Sequence, residues 1–293
     1  MKKIILVVYQ YINLIRYLYI IMQRSGLKRN DIDKFYTTPN IANMCVNIFK
    51  NNVNISATDL IIEPSAGGGA FIPFIKALAT RCAFYDILPE HDEILEKDYL
   101  ALDHKQLEVK DQKIHIIGNP PFGRQSKTAI QFIKKSCHFA DTISFILPRS
   151  FKKNSMKNKI NKYFHLLHSE DLPSYSFLMN EEKYNAPCVF QIWMKREIAR
   201  EEIKKELPIG YIFVKKEENP DISFRRVGVN AGVISTDIDN KAKQSHYFIK
   251  FTNNETLFAN LERLRRNTFV LNNTIGPNSI AKTELIEMFN KNL

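Results

Sequence analysis

Beyond its first thirty or so residues, the chain alternates between two patterns of apolar positions. Short continuous apolar runs, which are typical of buried strands, occur at 59–63, 81–85, 113–118, 142–147, 164–169 and 188–194. Apolar residues at helical spacing occur at 39–50, 71–78 and 128–139, and a short acidic stretch at 90–97 is also predicted to be helical. Strands that alternate with helices predict an α/β fold, with a parallel sheet covered by helices on both faces.

Residues 1–22 form an apolar leader that departs from this alternation. Polar residues interrupt it, at Gln10, Asn13 and Arg16, so the pattern does not favour a membrane-spanning helix. A secretory signal would need a small-residue cleavage site, and this segment has none. Two interpretations stay open, a translation start at Met22 and an amphipathic docking helix.

Residues 196–293 break the pattern at the other end. Short β-like pieces are separated there by charged clusters and glycine-containing turns. We expect a small C-terminal extension, either a separate module or strands added to the edge of the sheet. The predicted organisation is therefore a leader at 1–22, a main domain at 23–195 and an extension at 196–293, which is a candidate substrate-recognition region.

The composition favours a polyanionic partner inside a reducing compartment. The 293 residues carry a formal net charge of +11, which places nucleic acid first among the expected partners. The four cysteines form no C-x-x-C pair, so we expect neither a disulfide framework nor a zinc site, and a cytoplasmic location fits. We predict no metal site, because no cysteine or carboxylate pattern completes a set with His165 and His168.

A glycine-rich turn follows the first predicted strand and is a candidate cofactor site. It runs from Glu63 to Gly69, and glycines allow a backbone to curve tightly and approach a nucleotide-like ligand. Asp86 ends the next strand, where a carboxylate accepts hydrogen bonds from ribose hydroxyls. Asp98 follows, placed to accept from an adenine amino group, with Tyr99 available to stack on the ring.

The same spacing fits a nicotinamide dinucleotide, so two cofactors must be compared. A pyrophosphate cradle avoids a neighbouring carboxylate, whereas Glu63 suits a cationic amino-acid ligand. The ordered carboxylates Glu63, Asp86 and Asp98 therefore favour S-adenosylmethionine.

The sharpest motif is Asn119-Pro120-Pro121-Phe122, directly after a predicted strand. An adenine N6 amine is a poor nucleophile, and two acceptors, the Asn119 side-chain oxygen and the Pro120 carbonyl, would localise its lone pair. Pro121 helps to fix the backbone, and Phe122 would stack on the base. Methyl transfer from a sulfonium needs mainly orientation and electrostatics.

In this order the motifs resemble those of amino-type N6-adenine methyltransferases that place the cofactor motifs before the catalytic one. The resemblance covers about residues 32–195 and implies a Rossmann-like class I methyltransferase sheet with S-adenosylmethionine as cofactor. It implies catalytic roles for Asn119, Pro120, Pro121 and Phe122. The implied cofactor-binding residues are Thr38, Glu63, Pro64, Ala66, Gly67, Gly69, Asp86, Ile87, Asp98 and Tyr99.

Basic residues outside these motifs are candidates for binding a nucleic-acid backbone around an extruded base. The predicted set is Arg149, Lys152, Lys153, Lys157, Lys159, Lys162, Arg225 and Arg226. The region after residue 196 is small for a DNA-recognition domain, so DNA and RNA both stay open as substrates. The motifs leave the oligomeric state undetermined.

Three other readings compete with nucleic-acid methylation. Glutamine methylation in protein uses a similar tetrapeptide, usually with Tyr in the last position, where this chain has Phe122. A catalytically silent, nucleic-acid-binding subunit would ordinarily lose the tetrapeptide or the glycine-rich turn, and this chain keeps both. A membrane-docked protein would depend on residues 1–22, and their deletion would then release it from membranes.

Overall fold

A computed structural model describes residues 35–107, 112–179, 181–253, 257–266, 269 and 277–293. The leader at 1–22 lies outside the described residues. The chain divides into two compact units. The first comprises the described residues up to Leu147, with Tyr163–Ala186 and Phe190–Ile198. The second comprises Pro148–Lys162, Pro187–Val189 and the described residues from Ala199 onwards, so segment 148–162 groups with the C-terminal part of the chain.

Strands and helices alternate through the first half of the chain. In chain order they are β1 (Tyr36–Thr37), α1 (Pro39–Asn52), β2 (Leu60–Glu63), α2 (Ile72–Lys76), β3 (Arg81–Asp86), β4 (Leu95–Glu96), β5 (Ile114–Gly118), α3 (Lys127–Ser136) and β6 (Thr142–Pro148). The next elements are α4 (Asn154–Lys157), β7 (Phe164–Asp171), β8 (Phe177–Met179), β9 (Glu182–Tyr184) and β10 (Cys188–Lys195). Short 3₁₀ turns follow β4, β5 and β6.

Seven of these strands form one sheet in the order β4-β3-β2-β5-β6-β10-β7. The pairs β2–β3, β3–β4, β2–β5 and β5–β6 run parallel. The chain winds outward in one direction from β2 and then in the other from β5, so the strand order reverses between these two neighbours. This is the switch point of a Rossmann-like α/β sheet, beside which such folds bind ligands. The predicted fold class is confirmed.

The sequence pattern explains the central strands and the first helix. Every residue of β2, β5 and β6 is buried, as expected where a parallel sheet is covered on both faces. Helix α1 has Pro39 at its first position and buries one stripe of its surface, formed by Ile41, Ala42, Cys45, Val46 and Phe49. Both features follow directly from the spacing of apolar residues.

Two elements differ from expectation. The stretch 90–97, predicted to be helical, instead forms turns and the short strand β4, because its backbone pairs with β3: the Lys97 amide donates to the Asp86 carbonyl at 2.8 Å. Only Ile94 in that stretch is buried, too little apolar surface to dock a helix. A three-stranded antiparallel sheet, β1-β8-β9, was also not predicted, since strands of two or three residues are too short to show a period.

The second unit has a sheet of its own. Its elements are β11 (Tyr211–Val214), β12 (Ile222–Arg225), β13 (Ile234–Ser235), β14 (His246–Phe251), α5 (Leu257–Arg265) and α6 (Lys282–Asn292). The strands form an antiparallel sheet in the order β11-β14-β12-β13. Tyr211, Phe224, Ile249, Leu285 and Phe289 lie in its hydrophobic core. Within the described residues, these four strands form a sheet of their own.

Segment 148–162 is held within the second unit by polar contacts. Lys153 Nζ lies 2.9 Å from Glu284 Oε2 on α6. The Arg200 guanidinium donates to the carbonyls of Lys157 and Ile160, at 2.6 and 2.8 Å.

In the part of the chain that the structure describes, no helix is both long enough and apolar enough to cross a membrane.

Candidate cofactor and catalytic site

The polar residues singled out in the sequence meet at one edge of the large sheet, within the first unit. Glu63 and Asp86 are the last residues of β2 and β3, and Asn119 directly follows β5. Asp98 comes two residues after β4. Because these four strands are parallel neighbours, their carboxyl ends lie at the same edge. The structure thus brings the predicted cofactor side and the predicted catalytic side together at the switch point.

The glycine-rich turn is built around the Asp86 carboxylate. The Gly67 amide donates to Asp86 Oδ2 at 2.8 Å, and the Leu88 amide donates to Oδ1 at 2.9 Å. Gly67 has a φ of 51°, in the left-handed region that favours glycine. A carboxylate has about four acceptor positions, so two remain for ligand hydroxyls. Ile87 beside it is 42% exposed, which offers an apolar surface to a ligand.

Glu63 is a buried carboxyl at the base of this turn. It is 2% exposed, and its Oε2 has no hydrogen-bond partner among the described residues. Burial raises the pKa of Glu63 well above its ordinary value, and the nearby charge of Asp86 raises it further. Gly118, with a φ of 148°, leaves room for this side chain, because a Cβ there would lie 3.0 Å from Glu63 Cγ. Such a group favours a cationic or hydrogen-bond-donating ligand.

The segment 36–38 covers the turn. The ring of Tyr36 lies against Gly67 and Gly68, and its hydroxyl donates to Glu90 Oε1 at 2.7 Å. Thr38, the predicted cofactor contact, is partly buried and precedes α1 without a side-chain capping bond. Thr37 is 8% exposed and its buried hydroxyl has no partner among the described residues. Thr37 was missed in the sequence, although it belongs to the same Thr-Thr-Pro motif.

Asp98 and Tyr99 have different environments. Asp98 is partly buried, and its Oδ1 accepts from the Leu100 amide at 2.9 Å. Tyr99 is 1% exposed. Its ring stacks on Phe132, with 5.4 Å between the ring centroids, and its hydroxyl oxygen lies 2.7 Å from Ser136 Oγ. The expectation that the Tyr99 ring stacks on adenine does not fit this placement, because α3 already covers the ring.

The Asn119 amide has one end fixed and the other unpaired. Its Nδ2 donates to the Phe35 carbonyl at 3.0 Å, which determines the orientation of the amide. Its Oδ1 is buried and has no partner among the described residues. The main chain is held too, since the Ser65 hydroxyl donates to the Asn119 carbonyl at 3.1 Å. The arrangement therefore presents a fixed acceptor, ready for an N–H donor.

Aromatic rings surround the tetrapeptide. Phe122 is 8% exposed, with its ring centroid 6.0 Å from that of Phe35, and Phe35 stacks on Tyr184 at 5.0 Å. Pro120 is buried and Pro121 is exposed. No sequence pattern singles out Tyr184, because it lies far from the motif along the chain and is brought to it by the β1-β8-β9 sheet.

The predicted nucleic-acid-binding residues belong to the second unit. Lys152, Lys159 and Lys162 are exposed, whereas Arg149 and Lys157 are partly buried. Lys153 is only 11% exposed at its side chain and pairs with Glu284, which gives it a structural contact.

The two predicted arginines of this set have local contacts. Arg225 Nε donates to the Val227 carbonyl at 2.8 Å, and the Arg226 guanidinium lies 5.7 Å from the Tyr247 ring centroid.

Among the described residues, no group of three or more His, Cys, Asp or Glu side chains is arranged to hold a metal ion.

Similarity to known proteins is low. No protein-family model matches the chain, and no curated protein matches it in sequence. A provisionally named RNA methyltransferase from Pyrococcus horikoshii is 14% identical, with a TM-score of 0.46 over 58% of this chain and 90% of its own. A provisionally named class I S-adenosylmethionine-dependent methyltransferase from Listeria monocytogenes is 15% identical, with a TM-score of 0.44 over 63% and 67%. The 23S rRNA methyltransferase ErmE is 12% identical, with a TM-score of 0.40 over 57% and 71%.

Proposed function

We propose that this protein is an S-adenosylmethionine-dependent methyltransferase that methylates the N6 amine of adenine in nucleic acid. The observation that carries the proposal is the Asn119 side chain, whose buried Oδ1 is fixed in orientation and lacks a donor among the described residues. It follows the strand β5 at the switch point of the sheet, in the tetrapeptide that resembles the catalytic motif of N6-adenine methyltransferases.

The cofactor assignment is supported by the groups around the glycine-rich turn. Glu63 is a buried carboxyl with an unpaired oxygen, which suits the α-amino cation of an amino-acid ligand and not a pyrophosphate. Asp86 retains acceptor positions for two ribose hydroxyls. Thr37, Thr38 and Asp98 are the remaining polar candidates at this edge. When bound, S-adenosylmethionine supplies an electrophilic methyl group on a cationic sulfur.

The protein's own part in the reaction is to position the base. In our proposal, Asn119 Oδ1 and the Pro120 carbonyl accept hydrogen bonds from the two N6 protons, so the nitrogen lone pair is localised and directed. Phe122 contacts the ring of the base. Oriented acceptors in a site with little water lower the barrier because no solvent has to reorganise during transfer.

The base has to leave its stack to reach a buried acceptor, which requires contacts to the surrounding backbone. We propose that the exposed lysines Lys152, Lys159 and Lys162 supply such contacts, with Arg226 as a further candidate. The proposal includes both DNA and RNA as substrates.

A methyl-transfer assay with labelled S-adenosylmethionine tests the function. Duplex DNA, single-stranded DNA, structured RNA, capped RNA and a protein extract are offered separately, and the products are digested and separated. We expect label in N6-methyladenine from a nucleic-acid sample. Label in glutamine would replace this proposal with protein methylation, and no transfer to any polymer would support a catalytically silent binding subunit.

A further inference from the structure

An open groove lies at one end of the sheet of the second unit. Its volume is about 350 Å³. The end of β11 with the turn after it, the start of β14, and the first residue of α6 form its walls. Because all of these elements belong to the second unit, the groove is a complete feature of that unit.

The groove is lined by a local excess of positive charge. Its lining contains the four lysines Lys215, Lys216, Lys243 and Lys282 and the single acidic residue Glu217. Lys215 and Lys282 are exposed and form no ion pair among the described residues. Lys243 pairs with Glu217, but both side chains are more than half exposed, and an exposed pair is readily exchanged for another anion.

Lys216 has a different role from the other three lysines. Its ammonium donates to the carbonyls of Asp239 and Lys241, at 2.7 and 3.0 Å. It therefore keeps its charge near the groove while holding the chain around residue 240 in place. The four ammonium groups come from three segments of the chain, at residues 215–216, 243 and 282, and they line one space.

The rings of Phe213 and Tyr247 in the groove already have partners. Lys282 Nζ lies 3.9 Å from the centroid of Phe213. The Arg226 guanidinium lies 5.7 Å from the centroid of Tyr247, and Phe224 stacks on that ring at 6.4 Å. A base entering the groove would have to displace these partners, whereas an anion would meet their charges directly.

The buried histidine beside the groove is consistent with this positive field. His246 is 9% exposed, and burial lowers its pKa. The positive charges of Arg225, Lys241 and Lys216 lower that pKa further.

From the converging lysines and the covered rings, we infer that this groove binds the phosphate backbone of a nucleic acid, without reading its bases. The inference rests on the proposed function, since it adds a backbone contact for the same substrate. Lys215, Lys243 and Lys282 are the residues that contact phosphate oxygens. A site of this kind binds through charge and counterion release, so its contribution is independent of sequence and depends steeply on salt.

The test measures binding of the full-length protein to labelled oligothymidylate and oligouridylate, by fluorescence anisotropy. Neither probe contains adenine, so binding does not depend on target-base chemistry, and the two arms separate DNA from RNA. The test variant carries Lys215→Gln, Lys243→Gln and Lys282→Gln. The matched control carries Lys50→Gln, Lys134→Gln and Lys195→Gln, three exposed lysines of the first unit, and so has the same change in net charge.

We expect the groove variant to lose about tenfold or more in affinity and about 2 units of the salt slope, at about 0.7 for each phosphate contact on a single strand. The control is expected to stay within about twofold of the wild-type protein, and Lys→Arg changes at the groove positions to retain binding. The inference is wrong if the wild-type protein binds neither probe, or if the groove and control variants lose the same affinity. Labelling of adenine by the wild-type protein is measured in parallel, so failure of the methylation proposal is seen separately.

Discussion

The two candidate sites of this protein use polar groups in opposite ways. At the sheet edge of the first unit, Glu63 is buried, while Asp86 and Asn119 are partly buried and held by hydrogen bonds. One oxygen each of Glu63 and Asn119 has no partner among the described residues. In the groove of the second unit, the charges are on exposed lysines, with one held in place. Chemistry at a single atom needs a fixed acceptor, while a repeating phosphate backbone needs only a sufficient density of charge. Single substitutions should therefore have large effects in the first site and small ones in the second.

Asn119→Ala should have the largest effect. It removes the oriented acceptor, and we expect the rate of methyl transfer to fall by at least about 100-fold, as for the loss of one preorganised hydrogen-bonding group elsewhere. Single-turnover assays measure this rate, and calorimetry should show nearly unchanged cofactor binding. Asn47→Ala, at an exposed position of α1, is the control. Equal labelling of adenine by the Asn119→Ala and wild-type proteins would exclude the proposed catalytic role.

Asp86→Asn should come next. The carboxylate accepts two backbone amides, and the neutral amide can accept from only one of them while it orients toward ribose. We expect the affinity for S-adenosylmethionine to fall by about tenfold to a hundredfold, the range for losing a charged hydrogen-bond acceptor. Asp92→Asn, exposed on the following turn, should leave the affinity unchanged. An unaltered dissociation constant for the Asp86 variant would contradict the ribose assignment.

Glu63→Gln should raise the stability of the folded protein while it weakens cofactor binding. Burial raises the pKa of Glu63, so above about pH 4.5 the unfolded chain ionises this side chain while the folded protein still keeps it protonated, up to the raised pKa. The stability that the side chain contributes is therefore lost as the pH rises from about 4.5 toward the folded pKa. The variant should therefore have a higher free energy of unfolding than the wild-type protein near neutral pH, as measured by urea denaturation.

The same substitution should weaken cofactor binding by about tenfold, since the amide cannot pair with a cation. In the wild-type protein, binding should release a proton and strengthen with rising pH, which calorimetry in two buffers of different ionisation enthalpy detects. Glu96→Gln, on exposed β4, is the control for both measurements. A wild-type affinity that does not change with pH would argue against the pairing of Glu63 with a cation.

A single lysine of the groove should show the smallest effect. Lys215→Gln removes one exposed charge of several, so we expect only a twofold to threefold loss of oligonucleotide affinity, or about 0.7 units of the salt slope. Anisotropy titrations from about 0.05 to 0.2 M salt measure both quantities. A hundredfold loss from this one change would abolish the contrast between the two sites.

The sequence pattern predicts much of the first unit because its central strands are buried along their whole length. Continuous apolar runs mark β2, β5 and β6, and the residues that follow a strand in a parallel sheet share an edge. Glu63, Asp86, Asp98 and Asn119 could therefore be grouped before any contact was known.

Other features depend on pairings that no local pattern records. Phe35 and Tyr184 are 149 positions apart, and only the β1-β8-β9 sheet brings their rings together. Tyr99 follows Asp98 directly, yet α3 covers its ring, which depends on tertiary packing. The groove was missed for the same reason, because its lysines come from three separate segments of a unit whose strands are short.

The hydrogen bond from Ser65 to the Asn119 carbonyl has a thermodynamic consequence. It ties the turn that we assign to the cofactor to the turn that we assign to the base, while Asn119 also holds Phe35 beside β1. Binding of the first ligand bears the free-energy cost of ordering these shared groups. Binding of the second ligand then does not bear that cost again. We expect the two ligands to bind with positive cooperativity, and the factor by which one strengthens the other must be the same in both directions.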